Sequence, residues 1–213
     1  MRPFQDVLVN AHPFRRPADL NLMTLLSNPP GDLWVFAYGS LMWRPGFDFL
    51  ERQPARLTGL HRSLCVYSFV HRGTPERPGL VLGLDRGGAC RGIAYRVAAG
   101  NRADTIAYLR QREQVTKVYI ESFRDVTLME HEARRVSALV YLVDRGHPQY
   151  AGKLSLEQQL HHIRGAHGKS GANPDYVLAT VAELESHGYR DQNLHQLAER
   201  LKGPHDTPHA PLP

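Results

Sequence analysis

Between Leu33 and Val143 the chain reads as a succession of strand-like runs, and this limits its possible folds more than anything else in the sequence. The runs are LWVFAYGSL, ARLTGLHRSLCVYSFV, GLVLGL, CRGIAYRV, YIESFRDVTLM and RRVSALVYLV, rich in β-branched and aromatic residues and separated by turn chemistry such as RGTPERPG and DRGG. So many strands in so short a stretch predict a barrel or a strongly curved sheet. One helix interrupts them: Asn101 is a candidate N-cap, Asp104 suits the positive end of the first turn, and ADTIAYLRQREQ follows.

After Val143 the period changes. SLEQQLHHIRGAHG has Ser155 as N-cap. NPDYVLATVAELESHG has Asn173 as cap, Pro174 at the first helical position and Gly188 as terminator. DQNLHQLAERLKG runs from a capping Asp191 to Gly203. Three helices after a strand-rich region make the class α+β. Residues 1–32 are an N-terminal extension that ends in the turn-rich SNPPGD and holds a short helix over Asp19–Leu26. Residues 33–203 form one domain, and residues 204–213 are a flexible tail.

With 213 residues, 42% hydrophobic and 22% charged, the chain can bury one sizeable core, and no apolar run approaches the roughly 20 residues of a membrane span. The first residues, MRPFQDVLVNAHPFRRP, lack the apolar stretch of a secretory signal, so export is not expected. Cys65 and Cys90 are the only cysteines, too few for a disulfide framework, and predict free buried thiols in a reducing cytoplasm. The net charge of +5 is scattered and often neutralised by adjacent acids, as in LDRGG and SFRDV. That pattern argues against nucleic acid and suits a small anionic substrate.

Several motifs fail on spacing. GAHGKS resembles a phosphate-binding loop, but two residues separate Gly165 from Gly168 where four are needed, and Ile163 stands where the first glycine belongs. The adjacent His161 and His162 point to different helix faces, and with His167 they make no metal-ligand pattern, so no metal is expected. Ser40 lacks a G-x-S-x-G elbow, and no histidine is paired with it by sequence.

The helix from Ala103 carries a more informative pattern. Ala103, Ile106, Leu109 and Glu113 fall at i, i+3, i+6 and i+10, a single face with three apolar members and one carboxylate. An inward carboxylate loses hydration, its pKa rises, and it becomes a base able to work near neutral pH. The same residue could instead pair with Arg110 or Arg112, or lie at a frayed helix end in solvent; spacing leaves both readings open.

Taken in order, WVFAYGSLMW, VHRGTPERPGLVLGL, CRGIAYRV, YLRQRE and GANPDYVLATVAEL resemble the ChaC-type γ-glutamylcyclotransferases over roughly Leu33 to Leu201. The resemblance implies a small mixed β-barrel surrounded by helices, the γ-glutamylcyclotransferase-like fold, with its site at the barrel mouth. It also implies cleavage of glutathione to 5-oxoproline and cysteinylglycine without metal, nucleotide or other cofactor, the substrate's own α-amine attacking its γ-carbonyl. Another γ-glutamyl compound as substrate, or a binding module that has lost turnover, are the alternatives it leaves. Glu113 matches the family's catalytic glutamate. Val35, Phe36, Ala37, Tyr38, Gly39, Ser40 and Leu41 match its substrate-binding loop, whose backbone amides would grip the γ-glutamyl group. Tyr176 matches a tyrosine beside the substrate, although a packed helix tyrosine accounts for it equally well, and His71-Arg72-Gly73 matches a family segment that would shape the pocket rim or contact the distal glycine carboxylate. The chain departs from the family at Ala37, often glycine, and at Lys117, commonly glycine, which bears on the shape of the loop after Glu113.

Overall fold

The computed structural model describes residues 31–114, 116–130 and 133–203. The helix expected over Asp19–Leu26 and the expected tail at 204–213 lie outside the described residues. Five strands close into a barrel in the order β1 (Leu33–Ala37), β3 (Gly79–Val97), β2 (Glu51–Ser68), β4 (Tyr119–Leu128) and β5 (Arg134–Val143). All neighbours are antiparallel except β1 and β5, which close the ring in parallel through Trp34↔Ala138 and Val35↔Leu139. All five residues of β1 are buried, as expected of an apolar strand covered on both faces.

The long β2–β3 hairpin revises the reading of DRGG as a turn. GLVLGL and CRGIAYRV are one strand, β3, that runs through Asp85–Gly88 without leaving the ladder. The pairing steps from Thr58↔Ala89 to Leu60↔Arg86, so Gly87 and Gly88, both at positive φ (99° and 67°), sit as a bulge opposite Gly59. Glycine supplies the left-handed backbone such a bulge needs, and the strand bends to follow the barrel.

Helix α1 spans Arg102–Glu113, α2 Leu156–Ile163, α3 Asn173–Ser186 and α4 Gln192–Lys202. Two of the expected caps hold. Ser155 and Gln158 form a reciprocal capping box, and the Asp191 carboxylate accepts from the Leu194 N–H. Gly188 follows α3 at φ 67°, the usual left-handed terminator. Asn101 precedes α1 through a single 3₁₀ turn, Ala99–Asn101, and makes no side-chain cap.

Asn173 also does not cap. It is fully buried as the first residue of α3. Its amide accepts from the Leu80 N–H at 2.7 Å and donates to the Leu80 carbonyl at 2.8 Å, completing the pairing of that β3 residue. The competing demand of β3, whose two polar groups would otherwise be buried unmet, takes the side chain away from the helix end. This bond fastens α3 to the barrel, so the buried stripe Tyr176, Val177, Thr180, Val181 and Leu184 faces the core. We expect Asn173→Ala to lower the unfolding free energy by about 2–4 kcal/mol in a urea titration, because two buried backbone groups lose their partners. Asn173→Asp, which keeps only the acceptors and buries a charge, should recover none of this loss.

Candidate active site

A cavity of about 460 Å³ opens at one end of the barrel, beyond the last residue of β1. β1 stops at Ala37 and the chain passes through Tyr38 and Gly39 into a 3₁₀ turn at Ser40–Met42. The end of this strand is held by Arg62 of β2, whose guanidinium donates to the Tyr38 carbonyl and, at 2.7 Å, to that of Arg91. Among the described residues the N–H groups of Gly39, Ser40 and Leu41 have no acceptor. Three adjacent donors are therefore left beside the cavity. A Cβ built on Gly39 would meet only Leu82 and the Tyr176 hydroxyl, each at 3.6 Å, so packing leaves room for a side chain at that position.

Glu113, the last residue of α1, lines the same cavity. The two readings of its position both hold: the carboxylate is turned inward, with 19% of its side-chain surface open, and it pairs with Arg112 at 3.2 Å. The inward face differs from the one expected. Ala103 is exposed, and Thr105 and Leu109 are the buried members, so the face steps i, i+4, i+8 to Glu113. Arg110 is not the partner, because it forms a two-pronged bond with Glu121 at 2.7 and 2.8 Å. Burial raises the Glu113 pKa above the ordinary carboxylate value, and the neighbouring Arg112 cation pulls it partly back.

Arg112 does more than pair with the carboxylate. It donates to the Ser40 hydroxyl at 3.0 Å, to the Arg44 carbonyl at 2.6 Å and to the Tyr108 hydroxyl at 3.0 Å, so one guanidinium fixes the loop after β1 against the end of α1. Ser40 thus meets a cation and not a base, which removes the geometry of a serine nucleophile.

Phenols make up much of the remaining wall. Tyr38 donates to the Tyr141 carbonyl at 3.0 Å, Tyr119 to that of Leu82 at 2.7 Å, and Tyr141 to Glu121 at 3.3 Å. Burial drives the pKa values of Tyr38, Tyr119 and Tyr141 up, and the Glu113 charge adds to the effect, so all three stay neutral. Tyr176 is different. Its hydroxyl accepts from the Leu82 N–H at 3.3 Å, its pKa is pushed up to about 12 chiefly by burial, and its own proton remains available beside Gly39.

Of the residues expected at the site, Phe36, Tyr38, Gly39, Ser40, Leu41, Glu113 and Tyr176 line the cavity. Val35 and Ala37 do not; both are fully buried in the core. Arg112, Tyr119 and Tyr141 had not been singled out for the site. Arg112 had a signal in its place next to Glu113, whereas the two tyrosines lie in strands where an aromatic reads as core. Lys117 adopts φ 60°, the left-handed conformation that glycine takes most easily, so the loop after Glu113 keeps a glycine-like shape without the glycine. GAHGKS supplies the first strand and the turn of a small hairpin, β6 (His167–Gly168) and β7 (Gly171–Ala172), and at the turn the Lys169 and Ser170 N–H groups donate to the carbonyls of Val70 and His71 at 2.8 and 3.0 Å. It braces a wall of the cavity. Among the described residues no group of three or more His, Cys, Asp or Glu side chains is arranged to hold a metal ion.

Comparison with known proteins gives a consistent assignment. The family model described as ChaC-like protein matches residues 33–203. A glutathione-specific gamma-glutamylcyclotransferase of Escherichia coli (strain K12) is 33% identical over 180 residues, covering 84% of this chain and 77% of the relative. Gamma-glutamylcyclotransferase 2-3 of Arabidopsis thaliana is 32% identical over 80% of this chain and 88% of its own. In three dimensions, the crystal structure of a yeast gamma-glutamyl cyclotransferase specific to glutathione superposes with a TM-score of 0.73 at 22% identity, over 79% of this chain and 95% of that one, which shows the shared α+β barrel fold. By the extent of the family match and the identity to its curated relatives, the chain belongs to the ChaC-like family.

Proposed function

We propose that this chain is a γ-glutamylcyclotransferase that cleaves glutathione to 5-oxoproline and cysteinylglycine, with residues 33–203 as the catalytic domain and Glu113 as the general acid/base. One observation carries the reading beyond family membership. Among the described residues, Glu113 is the one carboxylate that lines the cavity; held largely out of water, it shares that space with the N–H groups at the end of β1 that have no acceptor there. The buried free thiols Cys65 and Cys90 fit a reducing compartment, where such a substrate would be found. Among the described residues no helix is long and apolar enough to cross a membrane.

The chemistry needs little beyond positioning and proton transfer. The substrate's α-amine reaches its own γ-carbonyl by closing a five-membered ring, so a site that holds the γ-glutamyl chain folded gains the advantage of an intramolecular reaction. Near neutral pH the amine is an ammonium and cannot attack. Glu113 takes a proton from it, the amine nitrogen bonds to the γ-carbon, and the carbonyl oxygen becomes an oxyanion. The N–H groups of Gly39, Ser40 and Leu41 and the hydroxyl of Tyr176 are the donors that can receive it. Collapse breaks the bond from the γ-carbon to the cysteinyl nitrogen. Over the cycle the ammonium gives up two protons and the departing nitrogen gains two, and Glu113 carries them between the two.

A base with a raised pKa works because its conjugate acid is strong enough to protonate the leaving nitrogen yet ionised at working pH. Activity should therefore fall on acidification at a pH above the ordinary carboxylate range. Glu113→Gln should lose about 10²–10⁴-fold in kcat, read as 5-oxoproline release from glutathione.

The same substitution has a second signature. Because the folded-state pKa is raised, the folded protein prefers the protonated carboxyl, and the charged form costs stability once pH exceeds the folded value. Arg112 keeps Ser40, Arg44 and Tyr108 as partners without Glu113. Glu113→Gln should thus melt at a higher temperature than the parent at pH 7, and the gain should vanish below about pH 4, where the unfolded carboxyl is also protonated. Equal turnover in parent and variant would refute the assignment of the base.

Gly39→Ala separates packing from binding. The fold has room for the methyl, so thermal unfolding should shift by no more than a few degrees. The methyl would project toward the Tyr176 hydroxyl, and KM for glutathione should rise at least about tenfold through loss of close backbone contact.

A further inference from the structure

Resting on the reading of the cavity as the place where a γ-glutamyl carbonyl is attacked, we propose that Arg62, which does not line the cavity, is a positioning residue for the oxyanion. It orients and polarises the Tyr38–Gly39 peptide, which makes the Gly39 N–H the leading donor of the three at the end of β1.

The three free N–H groups belong to three successive peptides, and in each the carbonyl is already occupied. The Tyr38 carbonyl accepts from Arg62, the Gly39 carbonyl from the Met42 N–H at 2.8 Å, and the Ser40 carbonyl from the Arg44 N–H at 2.9 Å. Among the described residues every peptide bond is trans, so each C=O and its N–H point to opposite sides of one plane. Fixing a carbonyl therefore fixes where the N–H of that peptide points. The three differ in one respect. Two carbonyls meet neutral amides, and only that of Tyr38 meets a cation, whose hydrogen bonds are about twice as strong. A donor on the carbonyl draws electron density from the amide nitrogen and so strengthens the N–H of the same peptide.

Arg62 is more than a strand end requires as a fastener. It belongs to β2, where it pairs with Leu84 of β3, and 5% of its side-chain surface is open. Burying a cation costs free energy unless an anion accompanies it. The Asp191 carboxylate stands 3.9 Å away, beyond a hydrogen bond, and is engaged by the Leu194 N–H. The remaining bonds of the guanidinium run to the Arg91 carbonyl and, weakly, to the Met42 sulfur. The cation is thus balanced mainly by carbonyl dipoles, and its positive charge stands behind the Gly39 peptide. A neutral donor would hold the strand end without that cost.

The field of Arg62 reaches the cavity on the oxyanion side and not at the base. It draws the Tyr176 phenol down against the larger rise from burial, whereas the influences on Glu113 are burial and Arg112. Loss of Arg62 should therefore weaken the donors that meet developing charge and leave the base as it is. The shape of the loop is kept by the Met42 and Arg44 N–H groups and by Arg112. The deficit belongs in kcat more than in KM.

A second recess, of about 410 Å³, lies against Arg62 and is bordered by His61, Asp191, Asn193 and Gln196. A small cation can enter there when the side chain is cut back, and this permits a rescue experiment. Arg62→Gln, Arg62→Lys and Arg62→Ala are compared with the parent in 5-oxoproline release and in ¹H–¹⁵N spectra of the full chain. Glutathione binding is measured by calorimetry in the Glu113→Gln background, where the ligand is not consumed.

For Arg62→Gln we expect kcat to fall about 10- to 100-fold, less than the roughly 10²–10³-fold cost of losing a whole oxyanion donor. KM and Kd should stay within about threefold, and the acid limb of the pH profile should not move. The Gly39 amide proton should shift upfield by more than those of Ser40 and Leu41. Arg62→Lys, which keeps a cation and a donor, should fall between on both readouts. Millimolar ethylguanidinium should restore kcat to Arg62→Ala, and sodium chloride at the same ionic strength should not. If the Gln and Ala variants do not fold, Arg62→Lys decides through its kcat and its Gly39 shift.

An unchanged kcat would overturn the proposal. So would kcat and Kd worsening in proportion with a displaced acid limb, or a Gly39 amide that moves no more than its neighbours. A parent that releases no 5-oxoproline would instead refute the proposed reaction, and the Gly39 shift in the Arg62 variants would still decide whether Arg62 polarises that peptide.

Discussion

The cavity depends on a five-residue strand being held on both edges. A strand as short as β1 has little stability of its own. It persists here because β3 pairs with it along Leu33–Ala37, β5 pairs with it at Trp34 and Val35, and its side chains are buried. β2, β3, α1 and β4 lie between β1 and β5 in the chain, so the parallel β1–β5 pairing that closes the barrel spans the segment that contains α1. Tyr38 to Leu41 then emerge from a fixed point, tied by Arg62 at Tyr38 and by Arg112 at Ser40. Backbone donors anchored this way lose little entropy when a ligand meets them.

How much of this the sequence discloses depends on whether local chemistry has one use or two. The β-branched and aromatic richness of β1, β4 and β5 has one use and was readable, as were the cap at Ser155 and the Gly188 terminator. Gly87-Gly88 has two: the same pair makes a hairpin turn or a bulge, and only the register with Gly59 on the opposing strand decides between them. Asn173 likewise suits a helix cap, but Leu80, distant in sequence, claims its amide first. In α1 the stripe led to a carboxylate that lines the cavity, by a slightly different face, because the polar Thr105, and not Ala103, turns inward. Glu113 was legible because a carboxylate on an apolar face is anomalous. Arg112 was harder to see, since an arginine beside a glutamate reads as an ordinary ion pair until its bond to Ser40 is known.

The electrostatics of the site form a compromise among these groups. Burial pushes the Glu113 pKa up, whereas the close Arg112 cation pulls it back down. Arg112 is shared among Glu113, Ser40, Tyr108 and the Arg44 carbonyl, so only part of its donor capacity bears on the carboxylate, and the net shift remains upward. The surrounding phenols contribute by what they do not do: Tyr38, Tyr119 and Tyr141 have pKa values raised by burial and by Glu113 itself, and they add no competing negative charge.

That sharing also explains why the loop and the base should be regarded as one unit. A ligand anion that drew Arg112 toward the N–H groups of Gly39–Leu41 would weaken its hold on Glu113, and the carboxylate pKa would rise further at the moment the ammonium is delivered. The α-carboxylate and the α-ammonium of a γ-glutamyl group sit on the same carbon, so one ligand supplies both effects together. Arg72, on another wall of the cavity, leaves this balance undisturbed, because its bonds run to Ala172 and to the Tyr176 ring and not to Glu113. The different surroundings of the two arginines follow from which carbonyls and carboxylates each already touches: Arg112 the Glu113 carboxylate and the loop after β1, Arg72 the Ala172 carbonyl alone.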